Sequence, residues 1–522
     1  MSRLSRIQTA MLVELLVAFT CFSPSVLAQN PQEVRIRVDT DHVVRTMQGG
    51  IGASWHAIET PIWGREADGD PWAGSAWGAN PPPDDGQGWQ ALYHLAEWLG
   101  LDWCRVEIEQ RMYEPARGKF DWDNADMRTL YRILDWAERK QVDVFFQQMF
   151  SNVAWNAYPA LRRNPKGVLT SAPYSLEDFA DGFATLAEHL LRVKGYHCIK
   201  WLCITNEPGC DFSSWQGPDG KPLPFTPGVK AVRAALDRKG IGVPISAPDW
   251  TDLPELDPAK IDFDAYIGAY DIHSYMSKFD GEKEDAYTLT QAEKRLSKWA
   301  AWAHARNKPL FLSELGTQTY GWGYSNPSPD SYASSLKDAS LIVRAIRAGV
   351  DAVNRWSFIN RGDLDGQWQL IDTWDITRNR LLPAFTPHPN SYYMIGLLTR
   401  FIAKHSGVLA SVAEGGADQN GQQVFVAAFR SPGLQHTFVF VNDAGIDWQA
   451  EIHLGGLTKE MKLYRYRMTP EQKDKSDVIL RPEKEQDVSP QQPNFAEELP
   501  ARSIVVYSTY RFQASDPGAM TE

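Results

Sequence analysis

The sequence predicts an α/β fold in which a (β/α)8 barrel carries an appended antiparallel β-sandwich domain. Short apolar segments alternate with helical patterns from about residue 47 to about residue 357, and this alternation is typical of a parallel barrel. Two of the apolar segments end in a glutamate, Glu207 and Glu314. Helical periodicity stops near Gly407, and alternating strand patterns separated by turns follow, as in a β-sandwich.

Residues 1–28 have the pattern of a secretory signal peptide. Arg3 and Arg6 form a basic start, an apolar stretch runs from Ala10 to Phe22, and Val26-Leu27-Ala28 is a small-residue cleavage site. The apolar stretch is too short to span a bilayer, which disfavours a transmembrane anchor. We expect a secreted or periplasmic protein that has no membrane insertion once this segment is removed.

The chain is acidic, with a net charge of −12 at pH 7. Removal of the signal segment, which contains two arginines and one glutamate, makes the net charge −13. This charge disfavours nucleic acid and anionic membrane surfaces as partners. It places no such limit on a neutral ligand, and no feature of the sequence predicts an oligomeric state.

Four cysteines follow the signal segment: Cys104, Cys198, Cys203 and Cys210. An extracytoplasmic compartment permits a disulfide among them, but the sequence alone does not assign a pairing. They form no close Cys-x-x-Cys pair, and no histidines stand near them at zinc-ligand spacing. We therefore expect no metal and no cofactor.

Changes of pattern along the chain predict the domain boundaries. Strands at the start of the mature chain are expected to join the sandwich, so that this second domain is built from both ends of the chain. The predicted segments are a signal peptide over 1–28, N-terminal strands over 29–46, the catalytic barrel over 47–404, the sandwich over 405–512 and a polar tail over 513–522.

The barrel elements follow one another in a regular order. Short apolar segments predict the strands, and caps such as Ser175 and the Thr226-Pro227 start predict where helices begin. The eight strands are predicted over residues 48–54, 103–108, 142–147, 201–204, 243–247, 270–275, 308–314 and 352–357. The helices between them are predicted to begin near residues 90, 124, 175, 226, 289 and 331.

The fourth strand ends in Asn206-Glu207-Pro208. Pro208 has no N–H and cannot continue a strand ladder, so the amide and the carboxyl group lie where the strand ends. The carboxyl ends of the strands are where a barrel enzyme keeps its chemistry. The seventh strand ends in the same way, in Ser313-Glu314-Leu315-Gly316, so two strands carry a glutamate at the same end.

These two motifs resemble the fourth and seventh strands of the clan A glycoside hydrolases, which are (β/α)8 TIM barrels. In that clan the first glutamate is the general acid/base and the second is the nucleophile, so the resemblance implies these roles for Glu207 and Glu314. Tyr392-Tyr393 before the sandwich and the entry to the last strand at 499–503 are most similar to glycoside hydrolase family 30. Families 5 and 39 of the same clan are alternatives.

The same resemblance implies a set of residues that surround the two glutamates. In the clan, an arginine on the second strand lies close to the nucleophile, and Arg105 matches it. Asn206 matches the amide that hydrogen-bonds the sugar 2-hydroxyl. His273 and Tyr275 match a pair on the sixth strand, with Tyr275 as donor to the nucleophile, and Trp356 matches the tryptophan under the sugar ring.

Aromatic residues at predicted strand ends are further candidates for substrate contact, since flat apolar rings stack on the C–H faces of sugars. Trp55 and His56 follow the first strand, and Trp215 and Trp322 lie in loops after the fourth and seventh strands. The long loop over 60–88 is polar, rich in proline and tryptophan, and is interpreted as a substrate wall.

The loop over 360–368 has two interpretations. Arg361, Asp363 and Gln367 have side chains that can hydrogen-bond a sugar, and Trp368 can stack on one. Alternatively, Asp363 and Asp365 before a glycine resemble a fragment of a calcium loop, although the other ligands of that pattern are absent. We favour sugar contacts.

The combined prediction is a glycoside hydrolase without a cofactor that cleaves β-linked oligosaccharides, polysaccharides or other glycosides. If the two carboxyl groups lie about 5 to 5.5 Å apart, Glu314 attacks the sugar directly and the configuration is retained. Glu207 must then be protonated while Glu314 is ionised, and Arg105 would stabilise the charged form of Glu314. Two alternatives are a carbohydrate-binding protein on a barrel scaffold and a transglycosylase that uses the same carboxylates.

Overall fold

A computed structural model describes residues 32–60, 77–163, 165–209, 215–251, 253–276, 282–317, 331–361, 368–475 and 480–512. For residue 165 and residues 282–287 it describes the backbone alone. The described residues belong to one compact unit. The predicted signal peptide, the predicted tail and Cys210 lie outside them, so the predicted domain boundaries at 28 and 512 stay predictions.

The chain begins with a long strand, β1 (Gln32–Thr46). Its side chains alternate between buried and exposed over the first half, with Val34, Ile36 and Val38 buried. Alternation with period two gives a strand one apolar face, and this face of β1 packs into the sandwich described below and not into the barrel.

Eight parallel strands form the barrel, which confirms the predicted fold. In chain order they are β2 (Ile51–His56), β3 (Trp103–Glu109), β4 (Asp143–Phe150), β5 (Ile199–Cys203), β6 (Ser246–Trp250), β7 (Ala269–Met276), β8 (Leu310–Thr317) and β9 (Ala352–Ile359). Their spatial order is β5-β4-β3-β2-β9-β8-β7-β6. A hydrogen bond from Leu202 N to the Pro244 carbonyl, 3.0 Å long, joins the two ends of this sheet.

The six predicted helices lie between the barrel strands. In chain order the helices are α1 (Gly86–Leu99), α2 (Gln110–Tyr113), α3 (Ala125–Arg139), α4 (Pro165–Thr170), α5 (Leu176–Glu188), α6 (Thr226–Arg238), α7 (Glu282–His304), α8 (Tyr332–Ala348) and α9 (Ser391–Thr399). Two of them, α1 and α7, begin several residues before their predicted starts near 90 and 289. Asn124 and Ser175 cap α3 and α5 through side chains that accept backbone N–H groups, as their residue types favour. Gly349 ends α8 in the left-handed conformation.

Apolar side chains close the floor of the barrel. Above this floor, towards the carboxyl ends of the strands, the inward side chains become polar and charged, so the chemistry is confined to that end. The floor consists of the fully buried Trp103, Phe145, Cys203, Ala269, Phe311 and Ala352. Several strands differ from their predicted bounds by a few residues: the first begins at Ile51 and the fifth at Ser246, each three residues after its predicted start.

The strands after the barrel form a hairpin and a sandwich. The hairpin pairs β10 (Ile371–Asp375) with β11 (Arg380–Pro387). The sandwich strands are β12 (Gly407–Gly415), β13 (Val424–Arg430), β14 (His436–Asn442), β15 (Trp448–Gly455), β16 (Met461–Met468), β17 (Lys484–Val488), β18 (Asn494–Leu499) and β19 (Ser503–Ser508).

With β1 these strands form one nine-stranded sheet in the order β17-β16-β19-β14-β13-β12-β1-β15-β18. Its pairs are antiparallel except for β1 and β15, which are parallel, so the predicted antiparallel sandwich is confirmed with one parallel pair. Arg465 on β16 donates to Glu497 on β18 at 2.6 Å. Because these strands stand near opposite ends of the order, the sheet folds over on itself and encloses a second apolar core.

Two further predictions concern membranes and thiols. No helix among the described residues combines the length and the apolar character needed to cross a bilayer. Cys104, Cys198 and Cys203 are buried free thiols. Pairing among these three cysteines is therefore not observed, while any pairing of Cys210 lies outside the described residues.

A buried carboxyl group, Asp102, lies where the barrel floor meets the segment that leads into the sandwich. It stands just before β3 and accepts a hydrogen bond from the backbone N–H of Lys404. Asp143 at the start of β4 faces the same segment and pairs with Lys404 at 3.0 Å and His405 at 2.9 Å. Burial raises the pKa of Asp102 from 3.8 to about 7, although Lys404 and His405 act in the opposite direction.

This shift predicts that the Asp102→Asn variant gains stability relative to wild type at neutral pH. An acid whose pKa is raised by folding favours folding only while it is protonated, so its contribution falls as the pH rises from about 4 to about 7. Three units correspond to at most about 4 kcal/mol in the free energy of unfolding. Urea unfolding at pH 4.5 and pH 8 measures the free energy of unfolding of wild type and Asp102→Asn. The exposed Asp41→Asn variant is the control. Equal pH dependence in wild type and Asp102→Asn contradicts the prediction.

Candidate active site

Glu207 and Glu314 lie together at the carboxyl end of the barrel. Glu207 follows β5, and Glu314 belongs to β8. Both are buried, with 6% and 3% of their surface exposed. One oxygen of each carboxyl group lies within 4.8 Å of the other, and the ring of His273 lies within the same distance of both. The two glutamates therefore face one another across a short gap.

Arg105 connects Glu314 with its surroundings from β3. Its Nη1 donates to Glu314 and also to Glu107 Oε1, at 2.8 Å in the second case. Its Nη2 donates to Asn206 Oδ1 at 2.9 Å. A guanidinium group suits this position because its planar set of donors can serve several acceptors at fixed angles. The structure thus places Arg105 beside Glu314, where the resemblance to clan A expects it.

Glu314 has a second donor in Tyr275 on β7. The hydroxyl of Tyr275 lies 2.6 Å from Glu314 Oε2, while the guanidinium group holds Oε1. Each oxygen of this carboxylate therefore has a donor, and hydrogen bonds to ionised groups are stronger than those between neutral groups. Both donors favour the ionised form and fix the orientation of the carboxylate.

His273, also on β7, contacts the other glutamate. Its Nδ1 lies 2.7 Å from Glu207 Oε1 and 3.3 Å from Glu314 Oε2. Its Nε2 lies 3.0 Å from Asp249 Oδ1. Both ring nitrogens therefore face carboxyl oxygens, and a doubly protonated ring is able to donate to all of them. The ring is fully buried between the three acids.

Asp249, at the end of β6, supports both His273 and Glu207. Besides the contact with His273, its Oδ2 accepts the backbone N–H of Glu207 at 3.1 Å and Nε2 of Gln147 at 3.2 Å. Asp249 and Glu207 both have left-handed backbone conformations, with φ of 57° and 45°. Such conformations cost free energy in residues with a side chain, and the hydrogen bond between the two residues helps to hold them.

The charges of the cluster act on one another. Burial raises the pKa of the Glu314 carboxyl, while the charges of Arg105 and His273 act in the opposite direction and favour the carboxylate. Burial alone would lower the pKa of His273, but the carboxylates of Glu314 and Asp249 raise it well above its usual value. The pKa of Asp249 is lowered, because His273 and Arg105 outweigh the effect of burial. We conclude that His273 carries a positive charge.

An aromatic group lines the site from the other side of the barrel. Trp356 on β9 lies under the guanidinium group of Arg105, 5.8 Å from the ring centre. Its ring stands edge-on to His56 and Trp77, with centroid distances of 4.6 and 5.8 Å. His56 is fully buried, and its Nδ1 lies 2.6 Å from Glu107. His56 thus supports Trp356 and Glu107 from beneath, and Trp356 is the member of this group that lies next to Arg105.

Trp55 and Trp215 need correction as substrate contacts. Trp55 points outward from β2 and packs against Trp136 and Phe358, at centroid distances of 5.3 and 4.6 Å. Residues that follow one another in a strand face opposite sides, so Trp55 and His56 could not both line the barrel. Trp215 is buried against Phe179 at 5.8 Å and belongs to the core around α5 and α6.

Arg361 and Trp368 also have structural contacts in place of the predicted sugar contacts. Arg361 donates to the carbonyls of Gly78 and Glu59, at 2.7 Å each, and ties the chain after β9 to the segment before α1. Trp368 is buried and stands edge-on to Tyr275 at 5.3 Å. Trp322, Asp363 and Gln367 lie outside the described residues. Both interpretations of the loop over 360–368, sugar contacts and a calcium site, therefore stay predictions.

Two buried sets of three ionisable side chains have polar atoms close enough to share one ion: Glu207 with His273 and Glu314, and Cys203 with Asp249 and Asp271. In the first set His273 is hydrogen-bonded between the acids. In the second set Asp271 accepts the Asp249 N–H at 3.0 Å. These hydrogen bonds hold His273 in the first set and join Asp249 to Asp271 in the second.

Sequence reasoning did not assign Asp249 or Gln147 to the site. The signal for Asp249 was its position: Pro248-Asp249-Trp250 ends the fifth strand as Asn-Glu-Pro ends the fourth. Gln147 was visible as a polar residue at the end of the predicted third strand. Trp77 belongs to the loop over 60–88 that is interpreted as a substrate wall, but no signal distinguishes it from the other tryptophans of that loop.

The site holds two carboxyl groups in different surroundings. Glu314 receives two strong donors that favour the carboxylate, whereas the carboxyl group of Glu207 contacts His273 and its backbone N–H donates to Asp249. One proton donor and one anion on either side of a short gap are what the cleavage of a glycosidic bond requires. The arrangement also orients both groups through partners that are themselves hydrogen-bonded, which limits their motion.

Comparison of solved structures finds the same fold in glycoside hydrolases. A family 30 subfamily 8 xylanase from Clostridium acetobutylicum is 14% identical, with a TM-score of 0.59 over 91% of this chain and 99% of that chain. An α-L-arabinofuranosidase from Thermotoga maritima is 12% identical, with a TM-score of 0.59 over 92% of this chain and 100% of that chain. At such identities the similarity concerns the fold alone.

Sequence comparison gives the family. No curated protein gave a significant match. The family model for cellulase (glycosyl hydrolase family 5) matches residues 69–343. This match confirms the resemblance to clan A. Within the clan it indicates family 5, which the sequence motifs gave as an alternative to family 30. Since this match covers more than half of the 522 residues, the chain belongs to the cellulase family, glycosyl hydrolase family 5, and is a glycoside hydrolase.

Proposed function

We propose that this glycoside hydrolase retains the anomeric configuration, with Glu207 as general acid/base and Glu314 as nucleophile. The observation that carries the proposal is the short gap: an oxygen of each carboxyl group lies within 4.8 Å of the other. Retaining enzymes keep their carboxyl groups about 5 to 5.5 Å apart, whereas inverting enzymes leave about 6.5 to 9.5 Å for a water molecule. The short separation between Glu207 and Glu314 therefore favours the retaining mechanism.

In the first step Glu314 attacks the anomeric carbon while Glu207 gives its proton to the leaving oxygen, and the glycosidic bond breaks. Arg105 and Tyr275 support the assignment of Glu314, because both donate to it and keep it ionised. A nucleophile held in place by two donors loses little freedom on reaction. The product of this step is an ester between the sugar and Glu314.

In the second step Glu207 takes a proton from water, whose oxygen attacks the anomeric carbon and releases Glu314. The charge of Glu314 disappears while it is esterified, and Glu207 can then act as a base. His273 supports this exchange, since it lies 2.7 Å from Glu207 and 3.3 Å from Glu314. Its positive charge favours whichever of the two groups is ionised.

The substrate that we propose is a β-linked glycan. The fold is similar to that of xylanases of family 30 and of an arabinofuranosidase, and the matched family is named for cellulase. These names define a first panel of substrates: xylan, cellulose derivatives and aryl glycosides of the corresponding sugars. We also propose that the protein is exported, with residues 1–28 removed, which N-terminal sequencing of the exported protein would test.

Proton NMR of the first product tests the mechanism. During cleavage of a β-linked substrate, a retaining enzyme releases the β-anomer first, and mutarotation then produces the α-anomer. We expect the β-anomer signal to appear first. Initial release of the α-anomer would overturn the proposal. Added acceptor alcohol in the same experiment identifies a transglycosylase, because glycosides of that alcohol would replace free sugar as the main product.

Replacement of Glu207 by Gln should separate substrates by their leaving groups. A poor leaving group needs the proton of Glu207, and its loss should lower kcat by about 10²- to 10⁴-fold. An activated phenol leaves without a proton, so its release should continue as a burst of about one equivalent, after which slow hydrolysis limits turnover. Exposed Glu451→Gln serves as the matched control. Equal losses for both kinds of substrate would contradict the assignment.

A further inference from the structure

One buried acid beneath the catalytic glutamates has no part in the mechanism above. Asp271 lies on β7 two residues before His273, so both side chains point into the barrel and Asp271 is one layer deeper. It is fully buried. In the strand register it stands beside Phe311, a member of the apolar floor.

Asp271 acts on the site through Asp249. Its Oδ1 accepts the backbone N–H of Asp249 at 3.0 Å, and this N–H belongs to a residue with a left-handed φ of 57°. A buried N–H without an acceptor is costly. Asp271 therefore stabilises the backbone conformation from which the carboxylate of Asp249 reaches His273 and the N–H of Glu207.

The geometry also indicates the charge state of Asp271. Polar atoms of Asp271, Asp249 and Cys203 lie within 4.8 Å of one another, so an ionised Asp271 would stand beside another carboxylate. Its Oδ2 is buried and has no hydrogen-bond partner among the described residues. An ionised oxygen in that position would be strongly destabilising.

The ionisable groups around Asp271 agree with a neutral acid. They are Asp249 on β6, His273 on β7 itself, Arg105 on β3 and the thiol of Cys203 on β5, whose pKa burial raises well above its usual value. Burial and the charge of Asp249 raise the pKa of Asp271 well above its usual value, and His273 and Arg105 only partly oppose them. Arg105 and His273 already donate to Glu314, Glu207 and Asp249.

We propose that Asp271 is a positioning residue that works as a neutral carboxylic acid: it holds Asp249 against His273 and Glu207, and through them sets the orientation of Glu207 for proton transfer. This inference rests on the proposed function, since it needs Glu207 to be the acid. The chain of contacts runs from Asp271 to Asp249, from there to His273, and finally to Glu207. Asp271 itself does not touch the substrate.

Two variants with opposite expectations test the inference. Asp271→Asn keeps a carbonyl that can accept the Asp249 N–H and adds no charge, so kcat should stay within about threefold of wild type, since the hydrogen bond survives. Asp271→Leu has a similar volume but no acceptor. It should lower kcat on aryl glycosides with poor leaving groups by about 10²-fold, because displacement of a catalytic group by about 1 Å costs that much. KM should change little.

Two readouts exclude a merely structural role. The loss in Asp271→Leu should be much smaller for activated phenols, which leave without the proton of Glu207. The pH profile of kcat/KM for Asp271→Asn should coincide with that of wild type. If Asp271 were ionised, the amide would remove a charge beside Asp249 and shift a limb of the profile. Thermal unfolding of both variants measures stability separately.

Several outcomes would overturn the inference. These are a shifted pH profile or a loss above about tenfold in Asp271→Asn, and a loss in Asp271→Leu that is the same for good and poor leaving groups. If Asp271→Leu does not fold, the profile of Asp271→Asn still decides. Failure of the proposed function would be visible in a separate experiment. In that case the Glu207→Gln substitution would lower kcat equally for substrates with good and poor leaving groups.

Discussion

Replacement of Glu314 by Gln is expected to lower kcat by on the order of 10⁴- to 10⁶-fold, as the loss of a nucleophile does in other enzymes with covalent intermediates. The amide has nearly the same shape and can still meet Arg105 and Tyr275, but its nitrogen and neutral oxygen cannot displace the leaving group. Sugar release from the substrate panel measures the loss. The protein should remain folded, because the amide has the same volume and Arg105 keeps its ion pair with Glu107.

Glu451→Gln is the matched control for this change, since Glu451 lies on the sandwich strand β15 with 68% of its side chain exposed. It should leave kcat unchanged. A second test uses Glu314→Ala with added azide. Azide can occupy the space of the lost carboxylate and attack the anomeric carbon from the same side, so a glycosyl azide of inverted configuration should form.

Undiminished sugar release by Glu314→Gln would show that another group attacks the sugar. Loss of activity in the alanine variant without an azide product, at azide concentrations that leave wild type active, would limit Glu314 to an electrostatic role. The two results together therefore distinguish a nucleophile from a carboxylate that only stabilises positive charge.

The barrel was predictable because each strand carries its own signal. Strands buried on both faces are continuous apolar runs, and helices between them have caps and apolar stripes. Glu207 and Glu314 were predictable for a related reason: a carboxyl group directly after an apolar run lies at the carboxyl end of the barrel. Since all eight strands are parallel, these ends meet, and the two glutamates must be near each other.

The wrong predictions concern side chains whose direction depends on tertiary packing. Trp55 and His56 are neighbours in one strand, and only one of them can face the barrel interior. The position of Trp215 in the loop after the fourth strand predicts a substrate contact, but the apolar surface of α5 and α6 buries its ring. Arg361 is a similar case, because its guanidinium group donates to the backbone carbonyls of Gly78 and Glu59 in place of a substrate.

Asp249 shows what a sequence pattern does not contain. Its role depends on a left-handed backbone conformation and on contacts with Gln147 on β4, Glu207 after β5 and His273 on β7. None of these is adjacent to it in sequence. Networks of buried polar groups are set by the assembled fold, so their members appear only once strand register is known.

Removal of Arg105 should have the largest effect on stability among single changes in the site. Arg105 is fully buried and donates to Glu107, Glu314 and Asn206. Arg105→Met keeps the length of the side chain but leaves two carboxylates without their cation. Removing one partner of a buried ion pair costs about 3 to 5 kcal/mol, and urea unfolding measures this loss.

Activity should fall further than stability alone explains. Without the guanidinium group the pKa of Glu314 rises, because Arg105 is the first of the charges that lower it. The nucleophile must be ionised, so the acid limb of the kcat/KM profile should move to higher pH. Arg105→Lys keeps a charge but cannot reach three acceptors in one plane, and it should recover only part of the loss.

Arg344→Met separates the two effects. Arg344 is equally buried and pairs with Glu293 at 2.8 Å and Asp443 at 3.1 Å, at the contact between the barrel and the sandwich. Its removal should destabilise the protein by a similar amount, while the folded fraction keeps its kcat and its pH profile. If Arg105→Met and Arg344→Met gave the same pH profile, Arg105 would contribute to stability alone, and the charge that keeps Glu314 ionised would have to come from His273.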